Sequence, residues 1–168
     1  MLILTMKEQK SKELLTLKKQ YSKLQKKYSL PKFEELNKEF SIEKLSELET
    51  EHLLREIRKV ISERVFNYFR FIESLLNPQN VSFWIFSFVK ALDQEDKKIL
   101  ENIYKKLSDN EMSLIETDLE CNEKKEAEFI KESFKLWQEI KEEFLNVVKK
   151  TKNNLNKKEQ RKSKNYFR

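Results

Sequence analysis

The sequence predicts an all-α protein, and three observations lead to this fold class. The 168 residues include no glycine and only two prolines, the residues that most often interrupt helices. Apolar residues recur at spacings of three and four along most of the chain, as on one face of an amphipathic helix. One apolar run, residues 81–89, has the length of a strand, but no second segment could pair with it. We therefore expect a bundle of five or six helices with a long N-terminal amphipathic helix and a basic C-terminal tail.

The first predicted helix covers residues 10–28, where apolar side chains follow the a and d positions of a heptad pattern. These side chains are Leu14, Leu17, Tyr21, Leu24 and Tyr28. The pattern lasts just over two heptads, so we expect a long helix that is docked along its second half. Ser29-Leu30-Pro31 should end it, because the residue before a proline disfavours the α conformation. A short amphipathic segment from Phe33 to Phe40 follows.

The central predicted helix follows an apolar stripe that runs from Leu54 to Leu75 in steps of three and four. Ser46 and Glu49 have the spacing of a capping box ahead of this stripe. Asn77-Pro78 should end the helix, since the residue before a proline leaves the α conformation. The next segment, Val81 to Val89, is apolar at seven of nine positions, and we expect a buried helix there.

A further helix is predicted after residue 93. Asp93 and Asp96 can cap it reciprocally, and its apolar stripe reaches Leu107. Ser108 with Glu111 repeats the capping-box spacing. This repeat opens the alternative of a kink or break, with a new helix beyond it.

The last predicted helix begins at Asn122, which can cap it, and carries an apolar stripe from Ala127 to Val148. Beyond Lys150 the stripe ends, and the segment is either a disordered tail or a helical extension. Because the chain has no glycine for left-handed helix ends, we expect prolines and polar caps to end its helices. Those residues are Pro31, Asn77, Pro78, Asn122 and serines.

The missing glycines also exclude several kinds of active site. A P-loop and the dinucleotide-binding G-x-G-x-x-G motif need glycine where the backbone approaches phosphate. The G-x-S-x-G nucleophile elbow and the EF-hand calcium loop need glycine as well. The sequence therefore favours helical surfaces over loop-built sites.

Charge divides the chain into three parts, which we take as its domain organisation. Residues 1–30 carry a net charge of +6, residues 31–148 carry −8, and residues 149–168 carry +8. We predict a basic amphipathic helix at 1–30, an acidic helical bundle at 31–150 and a basic, flexible tail at 151–168. The single cysteine, Cys121, cannot form an internal disulfide, which favours a reducing, cytoplasmic compartment. No apolar stretch reaches the length of a transmembrane helix or has the form of a signal peptide.

No catalytic, cofactor-binding or metal site can be assembled from the sequence. Glu49 and His52 have the E-x-x-H spacing of di-iron helical bundles, but His52 is the only histidine, so a second motif is missing. Arg70 and Glu73 lie three positions apart on one helical face and can pair with each other. An enzyme would need several of these four side chains to line a polar cleft inside the bundle. We expect no enzymatic activity, no cofactor and no small-molecule substrate.

Aromatic residues are concentrated in residues 65–88, which hold eight of the 19 in the chain. They are Phe66, Tyr68, Phe69, Phe71, Phe83, Trp84, Phe86 and Phe88. Neighbouring helix positions diverge by about 100°, so these rings cannot all face one way. Either the helices here are buried on most sides, or part of their surface meets a partner. In the second case the candidate partner surface consists of Phe83, Trp84 and Phe86 together with the five heptad side chains of residues 10–28.

The basic C-terminal segment holds nine cationic side chains that could contact phosphate groups. They are Lys149, Lys150, Lys152, Lys157, Lys158, Arg161, Lys162, Lys164 and Arg168. Only six of the 35 basic residues of the chain are arginine, which leaves little capacity for bidentate recognition of guanine. Any contact with nucleic acid would therefore be sequence-nonspecific. A lysine-rich tail that only increases solubility is the alternative.

Three segments between residues 30 and 150 carry a family resemblance. They are Leu30-Pro-Lys-Phe-Glu-Glu-Leu36, Leu53-Leu-Arg-Glu-Ile-Arg58 and Glu123-Lys-Lys-Glu-Ala-Glu-Phe-Ile130, the last followed by Trp137-Gln138. In these segments the chain resembles an uncharacterised family of small archaeal all-helical proteins. The resemblance covers about two-thirds of the chain. It implies a helical fold and a cytoplasmic location, and no activity.

These observations favour a non-enzymatic interaction or scaffold module. Its apolar and aromatic helix faces would bind a macromolecular partner, either another protein or a second copy of the chain. The alternative is sequence-nonspecific binding of nucleic acid through the basic N-terminal helix and the basic tail.

Overall fold

The computed structural model describes the backbone of residues 2–165 and the side chains of residues 9–157. Within that part of the chain every regular element is helical, which confirms the all-α class. The α-helices are α1 (Leu2–Tyr28), α2 (Phe33–Phe40), α3 (Leu53–Leu76), α4 (Phe83–Val89), α5 (Gln94–Glu120) and α6 (Glu123–Asn165). A 3₁₀ helix, Ile42–Glu47, lies between α2 and α3.

The chain forms two compact units. Unit 1 consists of Met1–Val65 with Glu111–Lys135, and unit 2 consists of Phe66–Asn110 with Leu136–Arg168. The boundaries therefore fall inside α3, α5 and α6. Each unit has its own buried side chains, for example Leu36, Ile57 and Ile130 in unit 1 and Ile72, Leu100 and Ile140 in unit 2. The division at 1–30, 31–150 and 151–168 follows charge and stays a prediction.

In unit 1, helix α1 packs against α2 and the 3₁₀ helix. Tyr21 is buried, and its ring meets Phe33 edge-on with 5.5 Å between the ring centroids. Its hydroxyl donates a 2.6 Å hydrogen bond to the carbonyl of Pro31. Burial, with the charges of Glu35 and Glu34, raises the pKa of the Tyr21 phenol. The second half of α1 is thus docked within the unit, as the heptad pattern predicts.

Most predicted helix ends are confirmed. Helix α1 ends before Ser29-Leu30-Pro31, and α3 ends before Asn77-Pro78. Asp93 and Asp96 cap α5 reciprocally: the Asp93 N–H donates to the Asp96 carboxylate, and the Asp96 N–H donates to the Asp93 carboxylate. The Asn122 side chain accepts a 2.8 Å hydrogen bond from the Lys124 N–H at the start of α6. These caps satisfy backbone donors that the first helical turn leaves unpaired.

The structure contradicts the predicted Ser46 cap and decides the alternative left open at Ser108. Ser46 lies inside the 3₁₀ helix, so it does not cap α3 with Glu49. Helix α3 begins only at Leu53, where the Thr50 hydroxyl accepts a 3.0 Å hydrogen bond from the His52 N–H. At the second position, Ser108 and Glu111, α5 continues without a break, because helical residues on both sides extend one hydrogen-bond ladder.

The expectation that helix ends here lack left-handed residues is also wrong. Ser29, Ser41 and Cys121 follow α1, α2 and α5 with φ angles of 54°, 56° and 48°. Backbone hydrogen bonds close the helix at each of them, as where the Ser41 N–H donates to the Asn37 carbonyl at 2.8 Å. Residues with a Cβ atom pay a steric penalty of about 1–2 kcal/mol in this conformation, which glycine would avoid. The structure tolerates this penalty at three helix ends.

Helix α6 continues through Asn165, so residues 151–165 form a helical extension rather than an irregular segment. Thr151 is buried in this extension, and its hydroxyl donates to the Val147 carbonyl at 2.8 Å. Among the residues that the structure describes, no helix combines the length and the apolar character needed to cross a bilayer.

Candidate interaction surfaces

Helix α4 displays three aromatic side chains in unit 2. Ser82, in an extended conformation, precedes the helix, and its carbonyl accepts the first helical hydrogen bond from the Phe86 N–H at 3.1 Å. Phe88 is buried, whereas Phe83, Trp84 and Phe86 are 84%, 58% and 42% exposed. We call these three exposed side chains the α4 surface. The expectation of a buried helix is therefore wrong in part, because a helix of two turns packs along one side only.

The α4 surface is held in place by packed rings beneath it. The Trp84 ring stacks on Phe71 with 5.8 Å between centroids and an interplanar angle of 18°. Phe71 in turn meets Phe88 and Phe144 edge-on, each at 6.2 Å. The Lys90 ammonium lies 4.3 Å from the centroid of the Phe86 ring. The stack on Phe71 orients Trp84, and both Trp84 and Phe86 stay exposed to solvent.

The other aromatic residues of the cluster contribute to packing within unit 2. Tyr68 contacts Trp137 and Phe144 at centroid distances of 5.1 and 5.7 Å. Phe69 stacks on Tyr104 at 4.9 Å. Of the two sequence-based alternatives, core and exposed surface, the cluster thus contains both.

The five heptad side chains of α1 lie against unit 1 rather than forming a free surface. Leu17 and Tyr21 are buried, and Leu14, Leu24 and Tyr28 are half-buried. The Tyr28 hydroxyl donates a 2.5 Å hydrogen bond to the Glu123 carboxylate, to which the Lys27 ammonium donates at 3.0 Å. These two bonds lower the pKa of Glu123. Most of the surface of these five heptad side chains is therefore covered by other residues of unit 1.

The candidate phosphate contacts divide into three groups. Lys149, Lys152 and Lys157 are exposed along α6. Lys150 is bound in an ion cluster described below. The side chains of Lys158, Arg161, Lys162, Lys164 and Arg168 lie outside the described residues.

The four side chains considered for an enzyme cleft are all exposed. Glu49 and His52 belong to unit 1, and Arg70 and Glu73 belong to unit 2. His52 lines a surface cleft of about 670 Å³ with Leu54, Cys121 and Glu123 among its other residues. In the described part of the chain, no three His, Cys, Asp or Glu side chains are arranged to hold a metal ion.

A buried ion cluster in unit 1 was missed by the sequence-based reasoning. The Arg58 guanidinium contacts Glu126 at 2.5 Å and Asp118 at 2.6 Å, and Arg55 contacts Glu126 at 3.4 Å. The side chains of Arg58 and Glu126 are each only 5% exposed. We call this the Arg58 cluster. The sequence contains a signal that both charged residues are buried, since each lies on an apolar helical stripe with steps of four, three and four. For Arg58 the stripe is Leu54-Arg58-Ile61-Val65, and for Glu126 it is Glu126-Ile130-Ser133-Trp137.

A second ion cluster lies in unit 2. The Lys150 ammonium contacts Asp93 at 2.7 Å, Asp96 at 3.0 Å and Glu95 at 3.9 Å. The Asp96 side chain is buried, whereas those of Lys150 and Asp93 are 43% and 48% exposed. Hydrogen bonds to Asp93 and Asp96 raise the pKa of Lys150, and the Lys150 bond lowers the pKa of Asp93. We call this the Lys150 cluster, and it withdraws Lys150 from the set of cations open to phosphate.

Comparison with protein-family models, with curated proteins and with solved structures finds no match to this chain. The resemblance to small archaeal helical proteins therefore stays a prediction.

Proposed function

We propose that the protein is a non-enzymatic interaction module whose α4 surface binds a protein partner. The observation that supports this proposal is the exposure of Phe83, Trp84 and Phe86 on α4. The helix itself is packed within unit 2, where Phe88 is buried and Trp84 stacks on Phe71. The reducing, cytoplasmic compartment expected from the single cysteine is part of the same proposal.

Aromatic area that is exposed to water gains favourable free energy when a partner covers it. Large aromatic side chains bury about 150–250 Å² each when covered, and exposed apolar patches on proteins often mark binding sites. Trp84 is already oriented by its stack on Phe71, so a partner would not need to immobilise it. Aromatic anchors of this kind carry much of the binding free energy at protein interfaces. The complementary partner surface is an apolar groove able to accept two or three rings.

The test combines site-specific crosslinking with affinity measurement. A photoreactive phenylalanine analogue at position 83 of the full-length protein is crosslinked in native extract, and the captured protein is identified and purified. Its affinity is then measured for the wild type, for Phe83→Ala/Trp84→Ala and for Leu48→Ala. Leu48 is an exposed apolar residue of unit 1 and serves as the matched control.

We expect the double variant to lose at least about tenfold in affinity, as for interface anchors, while Leu48→Ala binds as the wild type. If the captured protein is the chain itself, sedimentation should show self-association that the double variant abolishes. A strictly monomeric protein that captures no partner at micromolar concentration contradicts the proposal. Equal affinities for all three forms would contradict it as well.

Nucleic-acid binding is a second candidate function, favoured by the exposure of Lys149, Lys152 and Lys157 on α6. Labelled duplex and single strand are titrated with the wild type and with Lys149→Gln/Lys152→Gln/Lys157→Gln across salt concentrations. Nonspecific binding should weaken steeply with salt, and the triple variant should show a smaller slope. Absence of binding at low salt would rule this function out, and an unchanged slope would rule out phosphate contact through these three lysines.

A further inference from the structure

The second half of α5 carries an exposed apolar stripe that the proposed function does not use. Met112, Ile115 and Leu119 are 59%, 48% and 80% exposed. Their spacing of three and four places them on one side of the helix, over about 10 Å or two turns. All three belong to unit 1. We call these residues the α5 stripe.

Acidic residues surround the α5 stripe. Within unit 1, residues 111–120 of α5 contain four carboxylates and no lysine or arginine. They are Glu111, Glu116, Asp118 and Glu120. Asp118 contacts Arg58 at 2.6 Å, and Glu120 contacts Lys125 at 4.0 Å. The segment therefore combines an apolar centre with negatively charged borders.

The negative charge at the C-terminal end of α5 is unfavourable for the helix itself. The C-terminal end of a helix carries a partial negative charge and favours cations, yet the last turn of α5 contains no basic residue. Burial raises the pKa of Glu111, and the charge of Asp118 raises it further. A cationic partner would relieve this repulsion when it binds.

We propose that the α5 stripe is a docking surface for a basic amphipathic helix of another protein. Such a helix would place apolar side chains, spaced three and four apart, against Met112, Ile115 and Leu119. Its lysines and arginines would flank them, where they would meet the carboxylates at the borders of the stripe. Pairing of α5 with the α5 of a second copy is disfavoured, because the two acidic borders would face each other.

The test uses defined peptides and the full-length protein. The probe is a fluorescent helical peptide of about 20 residues with leucine at stripe spacing and lysine on its flanks, compared with a counterpart that has glutamate for every lysine. Binding is followed by anisotropy. We expect the lysine peptide to bind with a salt-sensitive affinity and the glutamate peptide not to bind.

Three variants locate the site. Ile115→Ser/Leu119→Ser should lower the affinity for the lysine peptide at least about tenfold, since two apolar anchors are lost. Glu116→Gln should lower this affinity less and should make it less dependent on salt. Phe83→Ala/Trp84→Ala should bind the peptide as the wild type does, because it leaves the α5 stripe unchanged. The α5 docking proposal can therefore fail or succeed independently of the proposal for the α4 surface. Circular dichroism checks that each variant is folded.

Several results would overturn the docking proposal. One is binding of the lysine peptide that Ile115→Ser/Leu119→Ser leaves unchanged. Another is equal binding of the two peptides, which would show that charge does not select the partner. A dimer of the chain that dissociates in Ile115→Ser/Leu119→Ser would make a second copy the occupant.

Discussion

The Arg58 cluster and the Lys150 cluster differ chiefly in burial. In unit 1, Arg58 and Glu126 form an ion pair with both side chains removed from water. In unit 2, Lys150 stays partly in solvent and covers one buried carboxylate, that of Asp96. Removing one partner of a buried pair leaves a charge without solvation, whereas an exposed pair is screened by water and salt. Both clusters contain short ion contacts, with nearest distances of 2.5 Å for Arg58 and 2.7 Å for Lys150, but we expect unequal consequences for stability because their burial differs.

The largest effect is expected from Arg58→Met, which keeps an unbranched side chain and removes the guanidinium with its charge. Glu126 would stay buried with Arg55 at 3.4 Å as its remaining cation. We expect the free energy of unfolding to fall by about 3–5 kcal/mol, the cost typical of breaking a buried pair. Urea denaturation followed by circular dichroism measures it. A loss of less than about 1 kcal/mol would show that the cluster behaves as an exposed pair.

The double variant Arg58→Met/Glu126→Leu separates the cost of an unpaired charge from the value of the pair. Two apolar side chains in place of a buried ion pair are often neutral or stabilising. We expect the double variant to recover most of the stability that Arg58→Met loses. A double variant as unstable as the single one would show that the pair itself, through its geometry, stabilises unit 1.

Lys150→Met is the matched change in the exposed cluster and should cost clearly less than Arg58→Met. Asp96 loses its cation but keeps the hydrogen bond from the Asp93 N–H. Added salt screens exposed charges, so the difference between the wild type and Lys150→Met should shrink as salt concentration rises, while the effect of Arg58→Met should not. Denaturation curves at low and high salt test both statements, and an equal response of the two variants would remove the distinction.

The pH dependence of the Lys150 cluster gives a smaller effect with a defined sign. The folded pKa of Asp93 lies below its ordinary value of 3.8, so its contribution is present above that value and is lost as pH falls through the folded pKa. The folded pKa of Lys150 lies above its ordinary value of 10.5, so its contribution is complete below 10.5 and is lost as pH rises through the folded value. The difference between the wild type and Lys150→Met should thus be constant at neutral pH and decline in acid and in strong base. A difference that grows on acidification would contradict this assignment.

The smallest effect is expected outside both clusters, at Ser29. Ser29 has a φ of 54°, and Ser29→Gly relieves this conformation at the cost of greater freedom in the unfolded chain. We expect a gain of about 0.5–1 kcal/mol in the free energy of unfolding. Ser22→Gly, at an exposed position inside α1, is the control and should lose about 0.5–1 kcal/mol. In the double variant Ser29→Gly/Arg58→Met, the two changes in the free energy of unfolding should add. A sum that differs from the measured value would show that the Arg58 cluster depends on this helix end.

Several helix ends could be predicted because short-range interactions fix them. Asn77-Pro78, Asn122 and the Asp93/Asp96 pair act on residues within one turn, and each was placed correctly. The prediction that Ser46 caps α3 is wrong because the helix begins several residues later, at Leu53. Ser46 lies in a 3₁₀ helix instead, and a local pattern cannot tell a 3₁₀ turn from the start of an α-helix.

The candidate surfaces were harder to predict. Six of the seven residues of α4 are apolar, so nothing in its composition separates buried Phe88 from exposed Phe83. The heptad side chains of α1 looked equally available to a partner, yet Leu17 and Tyr21 are used inside unit 1. In both cases the sequence indicates that a side chain is apolar and leaves open which surface covers it.

The sequence by itself determined the all-α class, the order of the helices and many of their ends, because periodicity and capping depend on residues a few positions apart. The tertiary structure decided which faces are buried and which ions pair. Arg58 and Glu126 are 68 positions apart, and Tyr28 and Glu123 are 95 positions apart. Contacts between residues distant along the chain set the free energy of these pairs, and no local pattern contains those contacts.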